Sequence, residues 1–423
     1  MVEKKKKAFF FLRHNNDIDH ITPVLYKWLS NKKISTDIII TTDEKFLDDY
    51  RIKILKQFKH ANIYQINNIF KKTTKAYFLN HFYKKYGTQI DNLSKKQKFI
   101  RKQVDKTIKT IAKKIFKDTK NAIVVFDWTL TYFTLEMIKE AKKRGFKTVS
   151  LPHGDAPYIN HLITINDFNI SDCLSIYKPS KNFDYVVVPN KLCSERYEPY
   201  IDKNRIKILG SPRYSNEWMK INNKYIPKYE NKEAEGKIKI VFFLRNIGFP
   251  IFWEEIVKTI KIILQFQDIY LIVKHHPRNR QSKKLTKKLA DMYPDIKEKI
   301  GSNLLFLYGK ENSASLMKWS DLIIDIGTSV TWEAIREDKS VIMLDYVHAN
   351  YSTVSYYMKN TEMRCRDDLY NIIEKLSKNK NQRFYTDEEK KLFIKEIIEV
   401  PDEKVLERYT DFLESLYKDN LNE

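Results

Sequence analysis

The stretch Asp321-Leu-Ile-Ile-Asp325-Ile-Gly327-Thr328-Ser329-Val-Thr-Trp-Glu333-Ala-Ile335 decides how the chain folds. An apolar run of strand length reaches a glycine, and the residues beyond it return to helical spacing. Strand–glycine–helix turns of this kind belong to α/β chains with parallel sheets. The helix start offers free backbone N–H groups and the positive end of a dipole. Thr328 and Ser329 add hydroxyls, so the turn reads as a phosphate cradle. Glu333 stands one turn further, where a carboxylate suits a ribose hydroxyl. The plain alternative is that Thr328 or Ser329 only caps the helix.

The same alternation extends in both directions. Toward the N-terminus, strands are expected at 7–12, 37–41, 61–66, 123–126, 148–151, 185–188 and 205–209, with helices at 21–29 and 135–144. After a polar stretch at 219–237, strands are expected at 238–244, 270–274, 303–307 and 321–325, with 340–344 closing the sheet. Helices are expected at 253–264, 283–292 and 330–337, and an amphipathic helical tail over 386–417. The division is therefore a Rossmann-like domain over 1–218, a linker over 219–237, a second Rossmann-like domain over 238–380 and a helical tail over 381–423. Two doubly wound halves enclose a cleft, and open parallel sheets bind ligands beyond the carboxyl ends of their strands.

Composition narrows the function. The chain has 423 residues, with 42% hydrophobic and 31% charged side chains, a globular balance. No apolar run approaches the ~20 residues of a membrane span. The lysines at 4–7 lead into a short apolar run that Arg13 ends at once, a poor signal peptide. Cys173, Cys193 and Cys365 lack metal-ligand spacing, which excludes a disulfide scaffold and suits a reducing cytosol. Lys and Arg total 77 against 54 acidic residues, a net +23. That favours an anionic partner, although a chain rich in Lys, Asn and Ile carries such an excess without function. Lys outnumbers Arg and is the weaker residue for bidentate recognition, so composition alone does not argue for a nucleic-acid reader. One basic amphipathic helix is expected at 94–120, with its apolar stripe set either on an anionic membrane or on the core.

The remaining site material lies at strand ends. Gly154, Gly210, Gly248 and Gly327 each follow an expected strand. Lys274-His275-His276-Pro277-Arg278 places a histidine before a proline. The two histidines of an extended chain cannot point the same way, and His276 is the one expected to meet a phosphate or a leaving group. His153, in Leu151-Pro-His-Gly-Asp155, is a candidate base with Asp155 as its partner. Arg13-His14-Asn-Asn-Asp17-Ile-Asp19-His20 opens a helix, and Asp17, Asp19 and His20 are further acid–base candidates. Arg245 and Arg213, the latter in Gly210-Ser-Pro-Arg213, suit a pyrophosphate. A capped loop or simple turn is the alternative for each.

In their order, His153-Gly154, Gly210-Ser-Pro-Arg213, Arg245, Lys274-His-His-Pro277 and Asp321 to Ser329 resemble the CDP-glycerol glycerophosphotransferase family of GT-B enzymes. They are also similar to bacterial capsule transferases that use CMP-activated acidic sugars. The resemblance covers roughly residues 145–350. Where that family has Asp-Tyr-Ser-Ser and Thr-Trp-Arg, this chain has Asp325-Ile-Gly-Thr-Ser329 and Phe243-Leu-Arg245. It implies a GT-B fold whose N-terminal domain takes the acceptor and whose C-terminal domain takes a CDP-, CMP- or UDP-activated donor. His276, Thr328 and Ser329 would hold donor phosphate, and His153 would be the base. The implied partners are that donor, a glycan or lipid-linked acceptor of capsule or teichoic-acid type, and an anionic membrane surface at the inner face of a cytoplasmic enzyme. No metal, other cofactor or nucleic acid is expected. The epimerases of UDP-N-acetylglucosamine share the architecture and a Gly-Ser/Thr-Glu helix start, but their acidic cluster in the first half is not evident in this sequence.

Overall fold

The computed structural model describes residues 6–13, 15–41, 47–66, 94–128, 131–154, 158–159, 175–245, 251–276, 286–287, 290–308 and 311–419. The chain forms two compact units. One comprises Met1–Asp155, Tyr177–Met219 and Ile397–Glu423, the other Ala156–Ile176 and Lys220–Glu396.

The first unit is built on seven parallel strands: β1 Lys6–Leu12, β2 Ser35–Ile40, β3 Ala61–Gln65, β4 Asn121–Asp127, β5 Lys147–Leu151, β6 Tyr185–Val188 and β7 Ile206–Ile208. Their order is β3-β2-β1-β4-β5-β6-β7, so the winding reverses between β1 and β4. β1 can sit at that centre because Ala8 to Leu12 are apolar throughout and buried on both faces. The helix Asn15–Asn31 packs Ile18, Ile21, Val24, Leu25 and Trp28 into the same core. The indole of Trp28 donates to Thr36 Oγ1 at 3.0 Å, so its buried N–H is satisfied.

The second unit carries β8 Ile238–Phe243, β9 Ile269–Lys274, β10 Leu304–Leu307, β11 Leu322–Asp325, β12 Ser340–Leu344 and β13 Glu362–Met363. Their order is β10-β9-β8-β11-β12-β13, all parallel, again reversing beside the first strand. β12 is therefore not the sheet edge. The two-residue β13 pairs outside it, too short to leave a periodicity in the sequence.

The C-terminal segment also differs from the expected tail. It is broken around Pro401, which lacks the N–H a helix needs. Asp387–Phe393 belongs to the second unit, and Val405–Asp419 to the first. There Val405, Tyr409, Leu413, Leu416 and Tyr417 complete the core, and the Tyr417 hydroxyl donates to Lys7 O at 2.7 Å. The stretch expected as a linker is likewise docked. Asn223 donates to Glu337 and Asn231 to the Tyr270 hydroxyl, at 2.8 and 3.0 Å.

The basic helix forms over Lys95–Ile115, and its stripe of Val104, Ile108, Ile111, Ala112 and Ile115 lies in the core. That part of the stripe packs on the core, whereas Phe99 near the helix start is 64% exposed, and the lysines form a solvated face. Among the described residues, no helix is long and apolar enough to cross a membrane. Of the helix expected at 283–292, the described residues 286–287 and 290–292 are helical.

Candidate functional site

In the first unit, the ends of β1, β4 and β5 bring one cluster together. Arg13 follows β1, Asp17 lies in the first turn of the helix after it, Asp127 is the last residue of β4, and His153 stands two residues past β5. Parallel register sets these ends level, with Phe10 beside Val125 and Asp127 beside Leu151. His153 Nδ1 lies 2.5 Å from Asp17 Oδ1 and 3.2 Å from Asp127 Oδ2. Arg13 donates from its guanidinium to Asp127 Oδ2 at 2.8 Å and from its backbone N–H to Asp17 Oδ2 at 2.6 Å. With Nδ1 held by two carboxylates, Nε2 is the ring nitrogen left to work, and Asn16 Nδ2 stands 3.5 Å from it.

Burial alone would lower the pKa of His153. The hydrogen bonds and charges of Asp127 and Asp17 outweigh burial and lift it to about 9. Burial, with the charge of Asp127, pushes Asp17 up. Burial also acts to raise Asp127, but His153 and Arg13 hold it well below the usual carboxylate range. Two carboxylates, a guanidinium and an imidazolium sum to zero charge, which is how so polar a cluster tolerates burial. One atom each from Asp17, Asp127 and His153 lies within 4.8 Å of the others, a spacing a metal ion can use. His153 Nδ1 and Asp17 Oδ1 are paired with each other, and the Arg13 guanidinium stands on Asp127 Oδ2.

The other candidates of this unit are placed differently. Asp19 is bound by Arg51 and by Arg213, the latter at 3.3 Å, so two arginines hold its carboxylate. Arg213, expected at a pyrophosphate, belongs to this acidic partner and lies over the Tyr214 ring. His20 is 1% exposed and packs against the edge of Tyr214, 6.1 Å away. Burial and then the charge of Arg213 push its pKa far down, so it stays neutral and is not an acid–base group at the surface. Gly210 has φ +90°, and a Cβ there would meet Ile398 O at 2.9 Å, which makes this turn a packing feature. Asp155 and His14 lie outside the described residues. Asp127 went unread because strand period says nothing of the polar residue that ends a strand. Its place at the C-terminal end of a buried strand was the available signal.

In the second unit, the Gly-Thr-Ser turn already encloses an anion. Asp325, at the end of β11, accepts from the backbone N–H of Ile326 and Thr328 and from the hydroxyls of Thr328 and Thr331. Burial still wins over these bonds and raises its pKa to about 6. Thr328 therefore turns inward to Asp325 and does not line an open cradle. Ser329 makes no side-chain cap to the helix Val330–Arg336. Glu333, expected at a ribose, is 3% exposed. Gly327 has φ +87°, and the atom its Cβ would strike is the Tyr158 ring, at 2.3 Å. Its close approach is thus to a tyrosine. We expect Gly327→Ala to cost about 3 kcal/mol, combining left-handed strain with overpacking. The double variant with Tyr158→Ala should recover the packing part. Urea unfolding measures both, and an unchanged midpoint in the single variant would refute the contact.

Tyr158 also donates to Ile326 O at 2.8 Å, while Arg245 donates to Gly327 O at 2.7 Å and lies 4.9 Å over the Tyr158 ring. Beside them Asp345, past β12, lies 3.4 Å from His348 Nε2, a pair the sequence did not single out. At the end of β9 the two histidines part. His275 is buried, stacked 5.2 Å from Tyr308 and bonded to Thr286, with its pKa lowered by burial to about 4. His276 is only half-buried.

Two Rossmann-like parallel sheets, each with polar side chains gathered beyond its strand ends, define a GT-B fold. No family model matches the sequence, nor does any curated protein. Solved structures share the architecture along nearly the whole chain. A UDP-N-acetylglucosamine 2-epimerase aligns with a TM-score of 0.60 at 13% identity, over 98% of each chain. The Methanocaldococcus jannaschii UDP-GlcNAc 2-epimerase, solved with UDP-GlcNAc and UDP, gives 0.55 at 14%, over 97% of this chain and 99% of its own. Anabaena HepE, solved with UDP and glucose, gives 0.57 at 11%, over 97% and 99%. At these identities the likeness is one of fold.

Proposed function

We propose that the protein is a sugar-nucleotide enzyme of GT-B type, moving a sugar or polyol-phosphate from a CDP-, CMP- or UDP-activated donor to a glycan acceptor. The observation that carries this is His153, held by Asp17 and Asp127 at the point where the first sheet reverses, where open α/β sheets take their ligands. In this proposal Nε2 of His153 removes the proton of an acceptor hydroxyl, and the two carboxylates stabilise the imidazolium that forms. Arg245, Ser329 and His276 of the second unit meet the donor phosphate. The transferred group, and an acceptor of capsule or teichoic-acid type at a membrane, follow from the family resemblance.

Because the base works deprotonated and its pKa is raised to about 9, activity should climb about tenfold per pH unit from 7 until it levels near 9. Asp127→Asn removes a charge that lifts the histidine, so its plateau should begin at lower pH. A wild-type rate that falls over this range would instead make the imidazolium a proton donor.

An epimerase of a UDP-sugar is the second reading. It is favoured by the same cluster, since Asp17 and Asp127 supply an acidic pair in the first unit. Incubation with donor alone separates the two, because an epimerase converts it and a transferase needs acceptor. Thermal shift with CMP, CDP, UDP, GDP and ADP tests the shared premise, since ligand at ~100 times its Kd adds ~2.7 kcal/mol. No shift with any of them would refute it.

A further inference from the structure

The second sheet ends in a buried lysine that the proposed chemistry does not use. Lys274 closes β9 and is 3% exposed. It pairs in register with Phe243 of β8 and Leu307 of β10, on the sheet face opposite Phe242 and Val273 of the main core. A lysine so placed ordinarily has a carboxylate in contact. Among the described residues, no hydrogen bond or ion pair reaches its ammonium. The opposing charge it feels is Glu311, which lies past the end of β10 and does not close a bridge with it. Glu311 Oε2 is itself buried with no hydrogen-bond partner among the described residues. Burial lowers the lysine pKa to about 8, so keeping it charged has a cost.

Buried Lys274, a donor-only group, and the buried Oε2 of half-buried Glu311, an acceptor, lie at the carboxyl ends of neighbouring strands and match a ligand edge that offers an acceptor beside a donor. A nucleobase carries such an edge: a ring carbonyl or ring nitrogen next to an N–H. We infer that Lys274 and Glu311 read the base of the nucleotide donor, Lys274 donating to its acceptor atom and Glu311 accepting from its N–H. This rests on the sugar-nucleotide reading and adds the residues that select the base. The strand end is rigid enough for selection, because His275 beside Lys274 is fixed by Thr286 and Tyr308.

The test compares Lys274→Met and Glu311→Ala with wild type by calorimetric titration of UDP, CDP, ADP, GDP and inorganic pyrophosphate. Wild type should prefer one base at least tenfold. Each variant should lose about ten- to a hundredfold for that nucleotide, the range of a hydrogen bond to a charged group, while its pyrophosphate affinity holds. Without ligand, Lys274→Met should melt roughly 2–4 °C higher, because an unpaired buried charge has gone. Folded variants that keep the wild-type base preference overturn the inference. So does a pyrophosphate loss equal to the nucleotide loss, which makes the lysine a phosphate ligand. If wild type binds pyrophosphate but no nucleotide, or binds nothing, the sugar-nucleotide reading itself has failed.

Discussion

His153→Gln should lower turnover by about 10³-fold while leaving donor affinity nearly unchanged, and its melting temperature should fall, because the imidazolium that balances two buried carboxylates has gone. Positioned acid–base groups contribute about 10²–10⁴-fold. Here the raised pKa shows how strongly the surroundings favour the protonated ring. Glutamine keeps a polar side chain of similar reach toward Asp17 and Asp127, so the buried carboxylates are not stripped of every donor. Asp17→Asn should be milder, since Asp127 still holds Nδ1, and its pH profile should shift downward. Steady-state rates with saturating donor make the comparison. Less than a fivefold loss for His153→Gln, in a folded variant, would remove His153 from the chemistry.

Ending the chain after Lys404 should prevent the first unit from folding. The helix Val405–Asp419 contributes Val405, Tyr409, Leu413, Leu416 and Tyr417, each at most 1% exposed, to the core beneath β1. At ~1.5–3 kcal/mol per buried side chain, the loss is about 10 kcal/mol, as large as the whole stability of a typical domain. It also uncovers the Tyr409 and Tyr417 hydrogen bonds to Gly210 O and Lys7 O. Circular dichroism and size-exclusion of the shortened protein are the measurements. A soluble, cooperatively melting product would mean that the helix is an appendage after all.

The second unit sharpens the contrast between motif and site. Asp325-Ile-Gly-Thr-Ser329 has the residues of a phosphate turn, yet its donors converge on its own aspartate. Residue types cannot tell an internal anion from a bound one, because either satisfies the same N–H and O–H groups. The direction in which the Thr328 hydroxyl points is set by what packs around it, and Tyr158 comes from far away in the chain.

Taken alone, the order of residues carried the layered architecture. Runs such as Ala8 to Leu12 and Leu271 to Val273 are apolar without alternation, and only strands covered on both faces bury such runs. It also carried the candidates His153, Asp17, Arg245 and His276, because strand ends are punctuated by glycine, proline and charge. Folding alone could join Asp127 to His153, fix Asp19 between two arginines, bury His20, and bring the last helix back to β1. Those pairings span from 26 to 410 residues of chain. Local spacing reports only on neighbours along the backbone, whereas contacts over such separations follow from how sheet and helices pack.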